Sequence, residues 1–142
     1  MAKGRDSQVA GGTILAPAAV YAAENRALAV LETLVHTNPR RIPPDLVLLT
    51  ISIPDDVPQT TWSVDDLPPG WRELGADPAR DRGTQWLTAR TGALLWTPSA
   101  ILPAEFNAIL NPAHPDHARA RIAERESFAF DPRLLALRAP PR

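Results

Sequence analysis

Apolar positions in this chain come in short clusters, and the first that repeats with helical spacing is Ala27, Leu28, Leu31, Leu34 and Val35. That spacing predicts a helix from Asn25 to His36, with Asn25 as its N-cap and Pro39 barring continuation. At about 100° per residue, Glu32 falls on the margin of the apolar stripe beside Leu28 and Val35, a half-buried position, whereas Arg26 and Thr33 point away. After Pro43 and Pro44, the branched run Leu46 to Ile53 predicts a buried strand that stops at Pro54-Asp55. Residues 56–82 lack a period and are expected to form a long, partly packed connection, with a short helix following from Gly83 to Arg90. Ala93 to Trp96 and Ser99 to Leu102 are expected to be two strand pieces broken at Pro98. Asn107 to Asp116 has the character of turns, and Arg119 to Phe130 alternates weakly enough for one last strand. The N-terminal residues 1–16, small and polar, are expected to form a loosely attached arm, with one domain over 17–142.

Composition narrows this picture. Sixteen prolines in 142 residues is more than twice the usual share of about 5%. Disorder would also need few large apolar residues and a high net charge, but 44% of the chain is hydrophobic and the net charge is -1, so the prolines punctuate short elements of a packed domain. With no cysteine, disulfides, thiolate metal sites and thiolate nucleophiles are excluded. No apolar run approaches the roughly 18 residues that cross a bilayer. The expectation is therefore a cytoplasmic protein without a membrane partner. All basic residues except Lys3 are arginines and they are scattered, which argues against a direct nucleic-acid footprint.

Several residues invite chemistry. His114-Pro115-Asp116-His117 offers two imidazoles and a carboxylate, but the proline breaks the register that would align them and a metal needs three or four convergent ligands; no metal is expected. Asp55-Asp56 and Asp65-Asp66 point in different directions as sequence neighbours and suit turns. Ser99 has no Gly-x-Ser-x-Gly elbow around it and, taken alone, is a strand serine. Glu32 is the better candidate, because a carboxylate at the edge of an apolar face is costly unless paired or used. Tyr21, the sole tyrosine, lies just before the helix and could place an aromatic face near the same spot or simply pack.

Read as an ordered set, the strings of this chain resemble the RES domain family. The set runs from Val20-Tyr21-Ala22-Ala23-Glu24 and the helix with Glu32 through Leu67-Pro68-Pro69-Gly70-Trp71 and Leu95-Trp96-Thr97-Pro98-Ser99. It ends with Asn111-Pro112-Ala113-His114-Pro115 and Phe130-Asp131-Pro132-Arg133-Leu134, and covers roughly residues 11–135. The resemblance implies a toxin of a type II toxin–antitoxin pair, inhibited by an Xre-like antitoxin. It implies a single compact α/β (α+β) domain with a short-stranded central sheet and a few helices, similar to ADP-ribosyltransferases. The implied activity consumes NAD as substrate, by phosphorolysis, hydrolysis or ADP-ribosyl transfer at the nicotinamide–ribose bond.

Residue by residue, Glu32 and Ser99 match the family's glutamate and serine and are the implied catalytic residues, with Tyr21 and Ser99 binding the NAD. The departure is N-terminal. Where family members carry a first strand with an arginine and a later Gly-Gly-Arg-Trp-Asn string, Gly11-Gly12 is followed here by Thr13-Ile14-Leu15, and the first strand is expected to be missing. Arginines are the natural clamps for a pyrophosphate. The competing expectation is thus a truncated, catalytically inactive module that binds the antitoxin without turning over NAD.

Overall fold

The computed structural model describes residues 3–4, 17–38, 41–73 and 75–136, with side chains from residue 17 onward. Within the described residues, seven strands and three α-helices follow one another as β1 (Lys3–Gly4), β2 (Val20–Ala23), α1 (Arg26–His36), β3 (Val47–Ser52), β4 (Gln59–Thr61), α2 (Asp77–Ala89), β5 (Leu94–Pro98), β6 (Phe106–Leu110), β7 (Arg121–Ser127) and α3 (Pro132–Ala136). Five strands form one sheet in the order β1-β2-β6-β5-β4, and β3 pairs with β7 in a second, two-stranded sheet. The α/β class is as expected.

The predicted helix is α1 with its cap. Asn25 Oδ1 accepts the backbone N–H of Leu28 at 2.8 Å, supplying one of the donors that a helix start leaves unsatisfied. Three other expectations are corrected. The turn-rich reading of Asn107 to Asn111 gives way to β6, the middle strand of the large sheet, whose run Ala108-Ile109-Leu110 is covered on both faces and so shows no alternation. Ser99 to Leu102 is a turn, because the Ser99 hydroxyl binds the N–H groups of Ile101 and Leu102 and prevents extension. The second helix starts at Asp77 rather than Gly83. Its first turns are polar and exposed, and only Trp86 and Leu87 are buried, so the apolar period begins late.

A two-residue strand precedes β2. Lys3 pairs with Tyr21 and Gly4 with Val20, antiparallel. Two residues are too few to register as a pattern, but the open edge of β2 offers them a hydrogen-bonding ladder. The rest of the expected arm, including Thr13-Ile14-Leu15, lies outside the described residues. The strand Val47–Ser52 is less buried than expected, with only Leu48 inaccessible, because its sheet has a single partner strand.

Register assigns the faces of the large sheet. Ala22, Ala108, Leu110, Leu94 and Trp96 share the face on which Ile51 and Ile53 pack. The opposite face carries Ile109 and Leu95, against which Trp86 and Leu87 of α2 and Trp62 pack. Leu95 is fully inaccessible. Trp86 also donates its indole N–H to Thr60 Oγ1 at 3.2 Å, which ties α2 to β4.

Candidate functional site

Alternation along β6 and β5 puts Asn107, Thr97 and Ser99 on the same side as Leu95 and Ile109. Helix α1 departs from the end of β2 and is fastened to the start of β6 by three bonds. The Glu24 N–H donates to Phe106 O at 3.0 Å, Glu24 Oε1 accepts the Phe106 N–H at 2.6 Å, and Asn25 Nδ2 donates to Glu105 Oε2 at 2.8 Å. These fix where the next turns of α1 lie. Glu32 then meets two side chains far away in sequence. Ser99 Oγ and Asn107 Nδ2 each donate to Glu32 Oε1 at 2.7 Å.

The surroundings decide what each group can do. Ser99 is completely inaccessible, and its hydroxyl accepts from the Ile101 and Leu102 N–H groups at 3.1 Å each, so its single proton is committed to Glu32. Glu32 keeps 21% of its side chain exposed, and its other oxygen, Oε2, lies 3.8 Å from His36 Nε2. That separation exceeds a hydrogen bond. Arg72 approaches from the β4–α2 connection and donates Nε–H to Ala100 O at 2.8 Å, one residue from Ser99.

Of the three residues singled out from sequence, Glu32 and Ser99 are in direct contact. Tyr21 is not bonded to them, but it shares their side of the sheet. It pairs with Ile109, while Ala23, two positions on, pairs with Asn107. Tyr21 and Asn107 are thus diagonal neighbours, about 7 Å apart, and the tyrosine ring is half exposed. Asn107 was not visible as a site residue because it belongs to a strand without alternation. The signal for it is the apolar run that follows, which marks a central strand.

Other candidates have structural roles. His114 Nδ1 accepts the Asp116 N–H at 3.1 Å and caps a short 3-10 turn over Pro115–Arg119. Asn111 is fully buried. Its Nδ2 donates to Leu87 O at 3.0 Å and its Oδ1 accepts the Ala113 N–H at 3.1 Å, joining the end of α2 to the exit of β6. Asp66 accepts from both the N–H and the hydroxyl of Ser63, which hold its carboxyl below the ordinary carboxylate value.

A cavity of about 390 Å³ opens between the two sheets, on the face of the large sheet opposite Asn107. Ala22, Ala108 and Trp96 line it from one side and Leu48 and Ile51 from the other. Glu24 and Arg26 also line it, and Arg26 is held by Glu124 at 2.8 Å and Glu126 at 2.9 Å. Glu32, Ser99 and Tyr21 do not line it. Among the described residues no three histidine or acidic side chains converge as a metal site, and no helix is long and apolar enough to cross a membrane.

Residues 12–131 match the RES domain. A protein of Sphingobium sp. (strain YBL2) named "Prs ADP-ribosylating toxin" is 37% identical over 140 residues, which cover 93% of this chain and 85% of the relative. Proteins named "Toxin Res" from Yersinia enterocolitica and Pseudomonas putida are 38% and 40% identical, each matching 78% of the relative's length and 82% and 81% of this chain.

Proposed function

The chain belongs to the RES domain family, and from that premise we propose that it is a toxin that breaks the nicotinamide–ribose bond of NAD, with Glu32 as the residue that meets the reacting ribose. One observation carries this reading. The carboxylate and the serine that match the family's glutamate and serine lie 67 positions apart and are hydrogen-bonded at 2.7 Å, with the carboxylate still partly open to solvent.

Chemically, the bond between the ribose carbon and the pyridinium nitrogen breaks with its electron pair going to nicotinamide, which leaves neutral. Positive charge builds on the ribose, and a fixed carboxylate beside it stabilises that state or orients the ribose hydroxyls. An acceptor oxygen then bonds to the ribose carbon and gives up its proton to solvent if it carries one. Tyr21, half exposed on the same side of the sheet, offers a ring face for stacking on nicotinamide. The Sphingobium relative's name supports ADP-ribosyl transfer over release to water or phosphate. An Xre-like antitoxin that covers the Glu32 site completes the proposal, and both would act in the cytoplasm, where NAD is plentiful.

Purified protein incubated with NAD labelled in its adenosine half tests the reading. Phosphate alone, buffer alone and cell extract distinguish phosphorolysis, hydrolysis and protein modification by the product that takes up label. Transfer to protein in extract, lost in Glu32→Ala, is the expected result. If no condition releases nicotinamide, an RES-like module that binds its antitoxin without turnover is what remains.

A further inference from the structure

We infer that Asn107 is a positioning residue for Glu32: together with Ser99 it holds Oε1 and leaves Oε2 as the oxygen that faces the substrate. This inference rests on the proposed role of Glu32. Oε1 receives two donors at 2.7 Å each, which fills the acceptor capacity of a carboxylate oxygen. Oε2 receives none.

The amide itself shows what it is built for. Asn107 Oδ1 is buried and accepts no hydrogen bond, an unsatisfied state that folded proteins seldom tolerate. Turning the amide over would not relieve it, because Oδ1 would then oppose Glu32 Oε1, acceptor against acceptor. The orientation is therefore dictated by the glutamate, and the orphaned oxygen is the cost of that contact. On the flanking strands the paired residues are Ala23 and Thr97, neither of them titratable. From α1 the titratable groups at this spot are Glu32 and, one turn on, His36.

Ser99 belongs to the same device. With both lone pairs used by backbone N–H groups and its proton used by Glu32, it has no capacity left for a substrate. A carboxylate pinned at one oxygen presents the other without reorganising as positive charge develops opposite it, which is how a supporting shell contributes to catalysis.

Three variants of the full chain test this. Asn107→Leu removes the donor and is expected to lower kcat for NAD cleavage about tenfold or more while KM stays within about threefold, as for misplacement of a catalytic group. Asn107→Asp keeps the shape, so it remains informative if the leucine variant fails to fold. At pH 8 it is expected to be as impaired as Asn107→Leu and to recover relative to the parent as pH falls toward 5, because the introduced carboxyl donates to Oε1 again once protonated. An unchanged kcat in Asn107→Leu, a loss confined to KM, or an Asn107→Asp profile that parallels the parent's would overturn the assignment.

Thermal melts of Asn107→Ala, Glu32→Ala and the double variant separate this failure from failure of the proposed reaction. Coupled side chains give a double-variant shift in Tm smaller than the sum of the two single shifts. Additive shifts with intact NAD cleavage remove the clamp alone. Coupled shifts without any Glu32-dependent cleavage remove the reaction, and with it the catalytic sense of the clamp.

Discussion

Ser99 Oγ lies 2.7 Å from Glu32 Oε1 and links the turn after β5 to helix α1. The same oxygen accepts from Ile101 and Leu102, so one hydroxyl shapes the turn and aims the carboxylate. Removing it affects both. Ser99→Ala is expected to leave two backbone N–H groups and one carboxylate oxygen short of partners, and to cost about 1–3 kcal/mol of stability. Denaturant unfolding checks this: an unchanged midpoint would mean that water replaces the hydroxyl.

Asn111 is four residues from Asn107 but is joined to backbone on both sides instead of to Glu32. Asn111→Ala is expected to lower stability by about 1–3 kcal/mol, since it leaves Leu87 O and the Ala113 N–H unpaired. Once the protein is folded, NAD cleavage per molecule should be close to the parent's. Activity normalised to the folded fraction tests the distinction.

Arg119, 2.5 Å from Asp56, holds that carboxyl below its ordinary value of 3.8. Because the folded value lies below the unfolded one, the pair stabilises the fold above the unfolded value and loses its effect as pH falls through the folded value. The stability gap between the parent and Asp56→Asn should therefore be constant from pH 7 to about pH 5 and close below about pH 4. Asp56 keeps 73% of its side chain exposed, so the gap should be small and shrink further in high salt. Unfolding midpoints across that range at two ionic strengths measure it.

Helix α1 was legible because its period, its cap and the margin position of Glu32 are all local. The sequence patterns around Asn107 and Asp77 misled for opposite reasons. A strand covered on both faces has no polar alternation, so β6 looked like an apolar patch between turn formers. An exposed first turn has no apolar stripe, so α2 seemed to begin late. The joining of Glu32 to Ser99 and Asn107 was beyond any local pattern, since it depends on how the end of β2 directs α1 across the start of β6. Family resemblance named Glu32 and Ser99 together, but the hydrogen bond that joins them, and Asn107 as a second donor to the same oxygen, belong to no local string.

The same geometry predicts that Glu32→Ala will fold. Glu32 is on the margin of the α1 stripe, and Leu28, Ala29 and Leu34 supply the buried side of that helix. Its loss leaves Ser99 and Asn107 donors without their acceptor, so Tm should fall while the cooperative transition is kept. Loss of a folded state would mean that Glu32 serves the fold and not the chemistry.

The most direct measurement is the rate at which the purified chain releases nicotinamide from NAD, compared with folded Glu32→Ala under the same conditions. The expected rate in the parent is about a hundredfold or more above the variant's, the loss that follows when one preorganised group facing a developing charge is removed. Equal rates for the two proteins would contradict a role for Glu32 in NAD cleavage.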